Sequence, residues 1–169
     1  MPDLTPKERL QPSLLDRLTD DEPERQVESR DKRVLSLERL RAGVRRDLAW
    51  LFNTTQLASA QALHAFPEAA ASTINYGLPD LAGKTASNVV GPALENLVRL
   101  SIWQFEPRLR KQSVQVRITR SAQGYSHNAV VMTIDAELWA QPVPVRLLLR
   151  TDIDLESGEV QVSEAGANG

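Results

Sequence analysis

The side chains that could do chemistry in this 169-residue chain are few, and their spacing supports little of it. Cysteine is absent, which excludes a disulfide framework, a thiolate metal site and a cysteine nucleophile. His64 and His127 are the two imidazoles, far apart and outside any HxxxH, HxH or HxxE spacing, so neither a metal site nor a Ser-His-Asp triad is supported. Gly77, Gly83 and Gly91 lack the spacing of a phosphate or dinucleotide loop, and no helix signature follows Lys84. Glycoside hydrolysis would need one carboxylic acid kept neutral and a second within about 5 to 10 Å of it. Glu106, Asp135 and Glu137 are the candidates, but Asp135 and Glu137 read as the polar side of a strand. No catalytic residue, no cofactor and no metal is expected.

The tripeptide Glu106-Pro107-Arg108 is the exception, because it joins an apolar helix to a run of strands. Pro107 forces Glu106 out of helical geometry and fixes the exit path, leaving two opposite charges on a stiff corner. They can pair with each other, or Arg108 can cap the helix carbonyls. Alternatively the corner meets a complementary partner, where Arg offers a bidentate contact.

The elements that must position this corner follow from hydrophobic period. Leu37, Leu40, Val44, Leu48 and Leu51 recur three or four apart and predict a helix from about Ser36 to Phe52. Its Arg39, Arg41, Arg45 and Arg46 suggest a nucleic-acid patch, but Glu38 and Asp47 interrupt them and no aromatic or Gly-rich segment accompanies them, so no nucleic-acid partner is expected. Residues 55–65 read as loop or weak helix. A short helix is predicted to start at Phe66-Pro67-Glu68 and to close near Ile74-Asn75-Tyr76, with Gly77 as a left-handed C-cap. A longer one is predicted from a Thr85 or Ser87 cap to Phe105, with Gly91-Pro92 tolerated in its first turns and Val90, Leu94, Leu97, Val98, Ile102 and Phe105 inside.

After Pro107 the period falls to two. Val114, Val116 and Ile118, then Val130 to Leu138, then Val145 to Leu155, and finally Val160 to Val162 alternate with polar residues, and short connections imply an antiparallel meander. The expected fold class is α+β, with N-terminal helices packed on one face of a C-terminal antiparallel sheet.

Residues 1–33 stand apart, with nine acidic and seven basic side chains and four prolines. They read as a charged, largely flexible arm before a single domain over 34–165, with a flexible tail over 166–169. Within the arm, Ser13 can cap one turn carrying Leu14, Leu15 and Leu18, which either folds back on the core or docks to a partner. Overall charge is nearly balanced, with 20 basic against 22 acidic residues. Bulk attraction to nucleic acid or to an anionic membrane is therefore not expected. No apolar run reaches the roughly 18 residues of a membrane span, and no signal peptide is visible, so the expected compartment is the cytoplasm.

Several runs also resemble a known family. Leu14-Leu15-Asp16-Arg17-Leu18, residues 44–54, Ser72-Thr73-Ile74-Asn75-Tyr76-Gly77-Leu78-Pro79-Asp80-Leu81, Phe105-Glu106-Pro107-Arg108-Leu109 and Thr151-Asp152-Ile153-Asp154-Leu155 occur in order over nearly the whole chain. Together they resemble the TssE family of type VI secretion baseplate subunits, related to wedge proteins of contractile phage tails that carry a lysozyme-like label. The resemblance implies a structural subunit in a large assembly at a baseplate docked to the inner membrane complex. It implies TssF and TssG as wedge partners, reached through Glu106, Pro107 and Arg108, with the Leu14, Leu15 and Leu18 turn as a further docking element. It also implies the sheath subunits TssB and TssC as partners of the sheet. Their strands would add to the meander, with Arg146, Arg150, Asp152 and Asp154 setting register. The alternatives are a lysozyme-like glycosidase and a small adaptor on the same fold.

Overall fold

The computed structural model describes residues 13–19, 23–24, 37–121, 128–139 and 144–165. His127, the 166–169 tail, the connections at 122–127 and 140–143, and most of the proposed 1–33 arm lie outside the described residues. Within that arm, α1 spans Leu14–Leu18, and Ser13 caps it by accepting from the Asp16 amide.

The leucine spacing produces α2, Leu37–Phe52, which buries Leu40, Val44, Leu48, Leu51 and Phe52. Asn53 ends it, its amide nitrogen donating to the Ala49 carbonyl. Residues 55–65 contain only a 3-10 turn, Leu57–Ser59.

Two predicted helices are broken. The first contains α3, Pro67–Ala70, and then a separate 3-10 turn, Thr73–Asn75. Ser72 divides them, because its hydroxyl donates to the Ala69 carbonyl and accepts from the Ile74 amide. Gly77 does have positive φ, but it is not a helix cap. It lies beside a parallel bridge in which the Leu78 amide donates to the Thr54 carbonyl and the Gln56 amide donates to the Leu78 carbonyl, both at 2.8 Å. A Cβ at Gly77 would collide with the Thr54 carbonyl, so glycine is required by close approach as well as by φ.

The second predicted helix divides into α4, Ala86–Val89, and α5, Pro92–Phe105. Pro92 has no N–H to continue the first piece and its ring disfavours a helical residue before it, so Gly91 is extended and Pro92 starts a new helix. Leu94, Val98 and Ile102 form the buried stripe of α5, whereas Leu97, expected inside, falls on its flank and is exposed.

The sheet follows the predicted order. Strands β1 (Gln115–Arg120), β2 (Ala129–Leu138), β3 (Val145–Asp154) and β4 (Val160–Glu164) form an antiparallel meander, β1-β2-β3-β4. Register is set by alternation: Val130, Met132, Ile134, Ala136 and Leu138 of β2 are buried, and so are Leu147, Leu149, Thr151 and Ile153 of β3. This face joins the helices in one core, with α2 nearest β4 and α5 nearest β1. The α+β class, with helices on one face of a C-terminal sheet, is the observed architecture.

Candidate functional site

Glu106 is the first residue beyond α5, with φ −122° and ψ 79°, held out of the helix by Pro107. Its side chain does not project from the corner. It is 3% exposed, and Arg108 folds back over it. Arg108 Nε donates to Glu106 Oε1 at 2.6 Å, Nη2 donates to Oε2, and the Arg108 amide adds a bond of 3.1 Å to Oε1. Of the readings open for the tripeptide, internal pairing is the one observed, and Pro107 is the residue that remains exposed.

Arg108 also reaches across to α2, where Nη2 contacts Asp47 Oδ2 at 2.5 Å. Asp47 Oδ1 accepts from Arg46 Nε at 2.9 Å, and Arg46 Nη1 contacts Asp16 Oδ1 of α1 at 2.5 Å. The Ser13 hydroxyl donates to the other Asp16 oxygen. Glu106, Arg108, Asp47, Arg46 and Asp16 thus form one alternating chain of charge joining the end of α5, the outer side of α2 and α1.

The ionisation states follow from this order. Burial alone would lower the Arg108 pKa, but hydrogen bonds and charge from Glu106 and Asp47 outweigh it and raise the value above that of an ordinary arginine. The hydrogen bond from Arg46 holds the Asp16 carboxyl below its usual range, against a smaller opposing effect of burial and with help from Ser13. Tyr76 stands beside the chain. Its ring meets Phe105 edge-on at 5.1 Å and its hydroxyl donates to the Asp47 carbonyl. Burial raises its phenol, and the Asp47 and Glu106 charges add to the shift, so the hydroxyl stays a donor.

Asp16 turns α1 inside out. Its one carboxylate faces the body of the protein, while Leu14 (70%), Leu15 (44%) and Leu18 (75%) are exposed. Gly43 of α2 faces this junction: a Cβ there would stand in ordinary contact, 3.4 Å from Asp16 Oδ2 and 3.6 Å from Arg108 Nη1. Mid-helix glycine costs about 1 kcal/mol relative to alanine, so Gly43 was a signal of close approach that the hydrophobic period does not register. Asp47 and Arg46 were legible only as charges on a solvated face, and Asp16 only as part of the leucine turn, because their contacts span 61 and 30 residues.

The remaining predicted residues lie on the sheet. Arg146 forms a two-point contact with Asp135, at 2.9 and 2.6 Å, on the exposed face. That hydrogen bond lowers the Asp135 pKa and raises that of Arg146. Arg150 pairs with Asp152 two residues along the same strand. Asp154 is used differently: its carboxylate accepts from the Glu156 amide in the β3–β4 turn. The carboxylates considered for glycoside hydrolysis each have their own arginine, Glu106 with Arg108, Asp135 with Arg146 and Glu137 with Arg110. His64 is exposed, and among the described residues no three acidic or imidazole groups converge as a metal site.

A family model described as baseplate wedge protein gp25 matches residues 38–143, more than half of the chain. The chain belongs to the baseplate wedge protein gp25 family. No curated protein and no solved structure matches it. The family stretch of this wedge protein contains α2, the Gly77 bridge, the Glu106-Pro107-Arg108 corner and the first two strands. Four members of the charge chain, Arg46, Asp47, Glu106 and Arg108, therefore fall inside it, while α1, β3 and β4 lie outside. A structural role in a phage-tail-like, multi-subunit baseplate assembly follows from this membership.

Proposed function

We propose that this wedge protein is the TssE subunit of a type VI secretion baseplate, working in the cytoplasm at a baseplate docked to the inner membrane complex. In this reading TssF and TssG bind at the surface built from α1 and the exposed Pro107. The sheath subunits TssB and TssC engage the sheet by strand addition. The observation that carries the proposal is the placement of α1. A turn bearing three exposed leucines is anchored through Asp16 to the charge chain that ends at Glu106. Exposed leucines on a pinned, pre-ordered turn suit a partner groove, since less ordering cost remains to be met on binding.

Strand addition supplies main-chain hydrogen bonds with little demand on side-chain identity. A ring of fixed sheets would lower the entropic cost of placing the first sheath layer, so that polymerisation starts at the baseplate. The experiment is co-expression with TssF and TssG, comparing the parent chain with a Leu14→Ser, Leu15→Ser, Leu18→Ser variant. Loss of co-purification and of sheath foci, with the melting temperature unchanged, is expected. Full assembly by the triple variant would overturn the proposed surface.

A further inference from the structure

We propose that β1 is the edge at which this sheet accepts a strand, that the Glu95 side chain occupies that edge until the strand arrives, and that the incoming segment is acidic. The inference rests on the strand-addition reading above and names the edge and chemistry that reading leaves open.

Each edge strand is met by one side chain, at Val160 on β4 and at Ile118 on β1, and the two contacts differ in kind. On β4, Asn53 acts as a full peptide mimic: its Oδ1 accepts from the Val160 amide at 3.0 Å and its Nδ2 donates to the Val160 carbonyl at 2.8 Å. The same nitrogen is tied to α2 through Ala49, so this contact is part of the helix end. On β1 the Ser121 amide donates to Ala129, so the antiparallel alternation turns the peptide groups of Val116, Ile118 and Arg120 outward. Among the described residues the Ile118 amide alone is met there, by Glu95 Oε1 at 2.9 Å. A carboxylate accepts and does not donate, so it leaves the outward carbonyls of β1 for a strand that brings both groups.

Space and charge are present beside it. A groove of about 420 Å³ runs along the edge, lined by Glu95, Arg99 and residues 115–119. Arg117 and Arg120 are exposed. Arg99, stacked over Trp103, leaves its Nε without an acceptor. Three arginines against one glutamate favour an acidic extended segment, and like charge disfavours a basic one. Until then a charged side chain on the open edge also hinders pairing between copies of the chain.

The test uses the complete protein labelled for amide detection and two synthetic eight-residue peptides, one of alternating valine and glutamate and one of alternating valine and lysine. The acidic peptide is expected to shift amides 115–120 and to bind about tenfold tighter than the basic one, a difference of about 1.4 kcal/mol. Glu95→Ala and Glu95→Asp, which remove or shorten the occupying carboxylate, should each speed Ile118 amide exchange in the free protein and tighten the acidic peptide several-fold. Shifts confined to 160–164, or equal binding of both peptides, overturn the inference and leave strand addition itself standing. Shifts at neither edge overturn both.

Discussion

Arg108 connects a buried carboxylate to a helix that lies 61 residues away in sequence. Removing it leaves Glu106 buried and unpaired, a change that costs about 3 kcal/mol or more in comparable sites. Arg108→Ala should therefore lower stability by about that amount in urea unfolding, and Arg108→Lys, which lacks the two-pronged contact, should recover only part of it. Thr151 presents the opposite case. Its side chain is fully buried in β3 and its hydroxyl has no hydrogen-bond partner. Thr151→Val keeps the shape and removes the unsatisfied group, so a gain of about 1 kcal/mol is expected in the same measurement. Asp16 supplies the pH dependence. Its folded-state pKa lies below the ordinary aspartate value of about 3.9, so its contribution is fully present above that value and fades as pH falls through the lowered one. Carboxyl titration by NMR should show Asp16 protonating below the ordinary aspartate range, with α1 amide protection lost in the same window.

At the scale of elements, α1 is attached to α2 at Gly43, where there is room for one Cβ and no more. Gly43→Val should expel α1, seen as faster exchange of its amides, while the helix core of Leu40, Val44 and Leu48 stays folded. Element type was legible wherever burial is periodic along a single segment, as in α2, β2 and β3. The breaks at Ser72 and Gly91 were not, because periodicity records which side chains are apolar and is insensitive to where a backbone bond is diverted or missing. Gly77 shows the same limit: its positive φ was predictable from local sequence, but its reason is the Thr54 carbonyl, 23 residues earlier. The candidate site divides along the same line. Glu106 and Arg108 were visible as neighbours two residues apart, whereas the links through Asp47, Arg46 and Asp16 exist only once α1, α2 and α5 are packed together.

At the scale of the whole molecule, the fold separates two kinds of surface. The helical layer carries the charge chain and the exposed leucines of α1; the other face of the sheet carries paired arginines and carboxylates, with β1 at its margin. Membership of the baseplate wedge protein gp25 family fits a chain in which, among the described residues, Glu106, Asp135 and Glu137 each form an ion pair with an arginine and no metal-type cluster converges. Whether the two surfaces hold different neighbours in one assembly is read by site-specific photo-crosslinking in assembled baseplates, with the reactive residue placed at Leu18, at Pro107 or at Arg117. Adducts with TssF or TssG are expected from the first two positions and with TssB or TssC from the third. Adducts with the same partner from all three positions, or the reverse assignment, would contradict that expectation.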